Sequence, residues 1–371
     1  LAMSIPPSTI RVPSDYATIQ AAVDAAVAGD TVLVAPGEYV ESVNLRGKAI
    51  LVKSEQVGAA AVLAPNNTRA FVANSGESAQ TRVIGFVIGR GGKWGGGVGI
   101  TNASPVFDSC DFLGCRNNTG GGALVQGGAP AFIACDFRNC FVNGVGGGLY
   151  GGGGAIRSVG GSVTVDLCSF IECYGWQGEI MMQEGGGSST LKRSVFIGAE
   201  GATSTHLYNV SSALTIEDCV FESMDETVMF GWSPYTVRRS TFRNMTGYAV
   251  MDSRFDQWVI DDCRFERCDV DGYIFAVTYS ATYALSDNTF CQCSTPTFQG
   301  PWTDLGGNDF DAACSCFGDI DGDGFIGGSD LSVVLSGWQN GPGSNEGDLS
   351  GDGETDAVDL ALILANWGAC E

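Results

Sequence analysis

Two stretches near the C-terminus carry the side chains best suited to chemistry, "GDIDGDGFIGGSDL" and "GDLSGDGETDAVDL". Each sets oxygen donors at positions 1, 3, 5 and 12 of a twelve-residue loop, with glycine at 6 and a backbone carbonyl at 7. In the first loop the donors are Asp319, Asp321, Asp323 and Asp330, with Gly324 at the turn and the carbonyl of Phe325. In the second they are Asp348, Ser350, Asp352 and Asp359, with Gly353 and the carbonyl of Glu354. Hard oxygen ligands in this order suit calcium, and two ions are expected. Each loop runs into a short apolar helix, "LSVVLSGW" or "LALILANW". Residues 317–371 hold 11 acidic and no basic side chains, which leaves 31 acidic against 19 basic elsewhere, or −12 of the total −23. So acidic a segment repels itself, and its folding is expected to be coupled to metal binding.

The elements that must carry this tail are written in a repeat. "SPVFDSCDFLGC", "APAFIACDFRNC" and "SVTVDLCSFIEC" all end in Cys-x-Phe-x-x-Cys. Aligned on the phenylalanine, the series runs Phe86, Phe112, Phe137, Phe170, Phe196, Phe221, Phe242, Phe265, Phe290 and Phe310, at intervals of 20 to 33 residues. A period of that length marks a solenoid. Residues around each phenylalanine alternate in polarity, which is the period of a strand. Glycine and asparagine crowd the intervals, as expected of tight turns among 54 glycines. One strand cluster per repeat without a helix predicts an all-β parallel β-helix of 11 or 12 rungs, with every phenylalanine of the series turned inward. Columns flank the phenylalanines: Cys110, Cys135, Cys168, Cys219 and Cys263 on one side, and Cys115, Cys140, Cys173, Cys268 and Cys293 on the other. The spacing allows either stacked thiols or bridges. Cys291, Cys293, Cys314, Cys316 and Cys370 cluster at the boundary with the tail and are expected to form disulfides, with Cys316 and Cys370 placed to clasp it. Zinc is disfavoured, because His206 is the only histidine and is expected to be an ordinary surface or core residue.

Ahead of the repeat, "SDYATIQAAVDAAVAGD" predicts a helix from Tyr16 to Val27, capped by Ser14 or Asp15 and stopped at Gly29. Ile19, Ala22, Val23, Ala26 and Val27 form its apolar stripe, suited to covering the open end of a solenoid. The expected division is therefore 1–30 for an N-terminal tail and capping helix, 31–316 for the parallel β-helix and 317–371 for the calcium-binding domain.

With Ala17-Thr18-Ile19-Gln20, Gly29-Asp30-Thr31 and Pro36-Gly37-Glu38-Tyr39, followed by the Cys-x-Phe repeats, residues 15–313 resemble the pectin lyase-like superfamily of right-handed parallel β-helices. The tail has Asp at position 12 and no helix before its first loop, and it resembles a dockerin-type domain rather than an ordinary EF-hand pair. That resemblance implies a cohesin-like partner or a larger assembly. The superfamily resemblance implies lyase, esterase or hydrolase activity in some members and none in others. The chain lacks Gly-Asp-Asp, Gly-His-Gly and Asp-Phe-Ile-Phe-Gly, the paired-carboxylate signatures of the esterases and hydrolases. Its richest charged constellation is Asp225, Glu226, Arg238, Arg239, Arg243, Asp252, Arg254 and Asp256, for which a mixed outer surface is the preferred reading. Trp94, Trp176, Trp232, Trp258 and Trp302 are candidates for stacking on sugars or on a neighbouring subunit.

Fourteen cysteines beside four lysines fit an exported protein. A net charge of −23 argues against nucleic acid and anionic lipid as partners. No apolar run is long enough to cross a membrane. "LAMSIPPSTI" has no basic segment or apolar core, as in a mature end left by a removed leader. The expected protein is an extracellular or cell-surface calcium-binding scaffold, adhesive or filament-forming, that self-associates or meets a cohesin-like partner. The alternatives are a secreted polysaccharide lyase or esterase held in an assembly by its dockerin-like tail, and a non-catalytic carbohydrate-binding protein.

Overall fold

A computed structural model describes residues 6–90, 95–142, 152–175, 177–198, 205–293, 298–310, 318–321, 325–338, 347–350 and 354–369. The chain winds as an all-β parallel solenoid. Successive turns give a strand to each of three sheets of 13, 11 and 10 strands, and every neighbouring pair in those sheets is parallel. The third sheet counts about ten turns, fewer than the 11 or 12 rungs expected. One boundary differs: Thr9–Val12 pairs in register with Thr31–Val34 and opens the first sheet ahead of the helix. The segment read as a tail thus contributes a strand, with Val12 buried in the core.

Helix α1, Ile19–Ala25, is shorter than expected. Its cap is Thr18, whose hydroxyl accepts from the Ala21 amide at 3.1 Å. Asp15 instead accepts from the Arg11 amide and closes a preceding turn. The Glu41 carboxylate takes the Ile19 and Gln20 amides, both at 3.0 Å, and so satisfies two orphan donors of the first turn. Ile19, Ala22, Val23 and Ala26 join the solenoid core, whereas Val27 is exposed.

The Cys-x-Phe-x-x-Cys phrase spells two corners around one short strand. Phe112, Phe137, Phe170, Phe196, Phe221, Phe242, Phe265 and Phe290 stack face to face inside the second sheet, with centroids 4.3 to 5.0 Å apart. Phe310 continues the stack at 5.1 Å. Phe86 does not belong to the column: Ile88 occupies that register opposite Phe112, and Phe86 pairs with Ala60. At each corner a residue with positive φ precedes the cysteine, for example Ala134 before Cys135 and Asn139 before Cys140. That conformation bends the chain, and the side chain that follows repairs the backbone polarity. Cys135 Sγ donates to the carbonyls of Ile133 and Phe107, and Cys140 Sγ to that of Phe112. Ser194 and Ser240 do the same with their hydroxyls, and Asn288 with its amide. Donor capacity, not redox chemistry, explains why Cys, Ser and Asn interchange here.

Cys110, Cys115, Cys135, Cys140, Cys168, Cys173, Cys219, Cys263, Cys268 and Cys293 are free thiols. Cys293 was expected in a disulfide, but it donates to the carbonyls of Phe265 and Cys291 in line with Cys268. Cys291 is disulfide-bonded. Cys314, Cys316 and Cys370 lie outside the described residues.

The tail has its own small core of Ile326, Val334 and Ile363. Helices α2, Gly328–Gly337, and α3, Ala357–Ala365, pack together, and Phe325–Ile326 pairs antiparallel with Gly368–Ala369. Positions 29 residues apart play matching parts: Ile320 and Leu349, Leu331 and Leu360, and Val334 and Ile363 all line this core.

Candidate functional site

In the first acidic loop Asp319, Asp321 and Asp330 each bring a carboxylate oxygen within 4.8 Å of the others. Oxygens 2.3–2.6 Å from a shared cation would sit at most about 5 Å apart, so this donor set fits calcium. Asp330 is fully buried at the start of α2. Its Oδ1 accepts from the Ile320 amide at 2.7 Å and the Asp321 amide at 3.3 Å, and its Oδ2 from the Gly327 amide at 2.8 Å. Burial opposes its charge, but these amides outweigh it and lower the pKa. Asp359 repeats the arrangement in the second loop, accepting from Ser350 at 2.8 Å and Asp356 at 2.7 Å. There burial, with Asp348 and Asp356 nearby, holds the pKa above the usual range. Ser350 Oγ donates to Asp348 Oδ1 at 3.3 Å. Phe325 and Glu354, the expected carbonyl donors, are described residues, whereas Asp323, Asp352 and the two turn glycines lie outside them.

The charged constellation read from the sequence is dispersed over the faces of the solenoid. Arg238 stands on the first sheet beside Asp261, and Arg239 turns the next corner against Asp218. Arg243 is buried against Glu222 at 2.6 Å on the second sheet. Asp252 and Arg254 meet on and just beyond the third sheet, at 3.4 Å.

The third sheet assembles a different group. Arg157, Met182, Tyr208, Phe230 and Asp252 occupy one column in register, alternating with core residues such as Leu207 and Met229. Tyr208 stacks on Phe230 at 5.1 Å, and the Arg254 guanidinium lies 4.8 Å above the Phe230 ring. Arg157 Nε and Nη2 both donate to Glu184 Oε1, while Nη1 reaches Thr119 Oγ1 at 2.9 Å. Burial raises the pKa of the Tyr208 phenol; Arg254 opposes the shift and Glu184 adds to it. Burial also raises Asp252, against the pull of Arg254. A half-buried phenol therefore lies one ring away from a guanidinium, an arrangement able to bind an anionic group and move a proton.

Beyond the strand ends the turns out of this sheet carry Trp232, Phe255 and Tyr279, which are 46%, 38% and 74% exposed. Their rings follow one another at 6.0 and 5.2 Å. Of the other tryptophans considered for stacking, Trp258 is fully buried and Trp302 is partly exposed, while Trp94 and Trp176 lie outside the described residues. Sequence reasoning passed over Tyr208 and Arg157. The available signal was their spacing: 157, 182, 208, 230 and 252 step by 22 to 26 residues, like the phenylalanines.

No family model matches the chain, and no curated protein matches it. Solved structures do. A mutant of the PL6 family alginate lyase AlyGC matches at a TM-score of 0.50 and 13% identity, over 81% of this chain and 50% of that one. The ORF18 protein of Geobacillus virus E2 matches at 0.54 and 14%, over 72% and 57%. An alginate lyase from Paenibacillus sp. str. FPU-7 matches at 0.53 and 13%, over 80% and 99%. The chain thus spans about half the length of the first two. At these identities the likeness establishes the parallel β-solenoid fold.

Proposed function

We propose that this chain is an extracellular solenoid that binds an acidic polysaccharide along its third sheet and cleaves it by β-elimination. The observation that carries the reading is the column Arg157, Met182, Tyr208, Phe230 and Asp252, in which Tyr208 stacks on the Phe230 ring that lies under the Arg254 guanidinium. Two alginate lyases among the structural neighbours support the same reaction class. The expected scaffold role rested on the regular solenoid, the missing motifs and a calcium module suited to assembly, whereas this reading rests on residues brought together on one sheet, and we prefer it.

In the proposed reaction Arg254 faces the sugar carboxylate and stabilises the charge that develops when the proton beside it is lost. Tyr208, as phenolate, takes that proton. The bond from the β-carbon to the glycosidic oxygen breaks, a double bond forms between the α- and β-carbons, and the phenol returns the proton to the leaving oxygen. Trp232, Phe255 and Tyr279 would stack against further sugar rings. A phenol pKa above its ordinary ~10 places the activity on the alkaline side. The test is ultraviolet absorbance of unsaturated products from a panel of uronic-acid polysaccharides, with Tyr208→Phe as the control.

The tail is proposed to hold two calcium ions. The first would be bound by Asp319, Asp321, Asp323, the Phe325 carbonyl and Asp330, and the second by Asp348, Ser350, Asp352, the Glu354 carbonyl and Asp359. In this reading it is a dockerin-like module that attaches the solenoid to a cohesin-like partner or to further copies of itself, and α1 closes the N-terminal end of the core.

A further inference from the structure

At the corner that leads from the second sheet into the third, a cavity of about 260 Å³ is lined by Gly114, Arg116, Asn139, Phe141 and Tyr174. We propose that it binds one carboxylated sugar ring of the polysaccharide, away from the bond that is cut. The inference rests on the polysaccharide reading above and gives it a second, non-catalytic contact point.

The backbone builds this cavity rung by rung. Arg116 pairs in register with Phe141, and Phe141 bridges to Tyr174, so three side chains rise from one corner of successive turns. Gly114 and Asn139, both with positive φ, bend the chain just ahead of them. A Cβ added at Gly114 would meet nothing within 4 Å, so this side of the cavity is open. The Arg116 guanidinium lies 4.7 Å above the Phe141 ring, and the Phe141 and Tyr174 rings are 6.4 Å apart at 55°.

The chemistry of the lining selects the ligand. Two partly exposed aromatic rings offer faces to the apolar side of a sugar. A guanidinium held over one ring presents a planar fork that matches a carboxylate. Asn139 adds an amide that donates and accepts. Among the described residues the lining contains no acidic side chain, in a chain whose net charge is −23. The volume is just below the ~300 Å³ at which drug-sized pockets begin, which suits a single ring. The position also fits: Tyr174 precedes the strand Met181–Glu184, which pairs with Leu207–Val210. The cavity therefore ends about one rung, or ~5 Å along the axis, before Tyr208. A glycan running along the axis would cover both.

The test is calorimetric titration of the full chain with an alginate oligosaccharide and with its carboxyl-reduced neutral counterpart. Wild type should bind the acidic form, and the neutral form more weakly. Arg116→Ala should weaken the acidic ligand at least about tenfold and leave the neutral one unchanged. Arg116→Lys, which keeps charge and loses the fork, should fall between. Phe141→Ala should weaken both ligands. Unchanged acidic binding in Arg116→Ala, or equal binding of the two ligands by wild type, would overturn the proposal. Product formation separates this claim from the lyase reading. If Arg116→Ala loses binding while Tyr208→Phe leaves turnover unaltered, or wild type shows none, the cavity stands and β-elimination at Tyr208 falls.

Discussion

Phe170 is 1% exposed and sandwiched at 4.8 and 4.9 Å between Phe137 and Phe196. Its truncation leaves a cavity that the rungs above and below are too rigid to fill. Phe170→Ala should cost ~3–5 kcal/mol in denaturant unfolding, whereas Leu113→Ala, at an exposed position one residue from the same column, should change stability by no more than ~0.5 kcal/mol. His206 is buried with Nδ1 3.5 Å from Glu179 Oε2, and burial lowers its pKa to about 4. Unfolded, the ring titrates near 6.5. Between those values the unfolded chain holds a proton that the folded chain lacks, so stability is full above ~6.5 and falls as pH drops towards 4. The loss from this residue reaches at most ~3 kcal/mol. Unfolding free energies at about pH 7 and about pH 4.5 should differ less for His206→Gln than for wild type; equal differences would mean that His206 contributes nothing to acid sensitivity.

Short strands and corners decide what could be read in advance. The phenylalanine column was legible because one residue type recurs at rung spacing. Phe86 was assigned to it wrongly: it directly follows the positive-φ corner residue Gly85, the place that Cys110 takes after Ser109, and Ile88 takes the register of the column. The Arg157–Tyr208–Asp252 column was not legible, since its members share neither type nor charge. The constellation from Asp225 to Asp256 misled for a related reason. On a solenoid, residues five to ten apart occupy different faces, as Arg238, Arg243 and Asp252 do on the three sheets. The internal repeat of the tail was legible through its 29-residue offset, which the matching hydrogen bonds of Asp330 and Asp359 reproduce. Calcium is expected to slow hydrogen exchange in α2 and α3 and to leave the solenoid unaffected. Asp319→Ala should weaken calcium binding in a titration while the solenoid stays folded. Helices equally protected with and without a chelator would contradict the coupling of metal and fold.

At the scale of the molecule, the solenoid works as a ruler. Its turns repeat every ~4.8 Å, so side chains from distant parts of the sequence become axial neighbours. The first sheet ends on Trp302–Asp304, an exposed edge strand that follows Thr282–Ser286. Such an edge invites pairing with another chain. If the proposed self-association uses it, light scattering should show growth with concentration that a Thr303→Pro change suppresses; a monomer at every concentration would remove that role. The central claim, however, concerns the third sheet, with the Arg116 cavity at the corner leading into it, the Tyr208 column on its face and the Trp232 ledge on the turns leading out of it. Its most direct test is the rate of unsaturated-product formation from polyuronates by wild type and by Tyr208→Phe, measured with binding of the same substrate. The account predicts turnover that rises towards alkaline pH in wild type, lost by about a hundredfold or more in Tyr208→Phe with binding retained. Turnover equal in the two proteins, or absent from wild type across the whole panel, would contradict it.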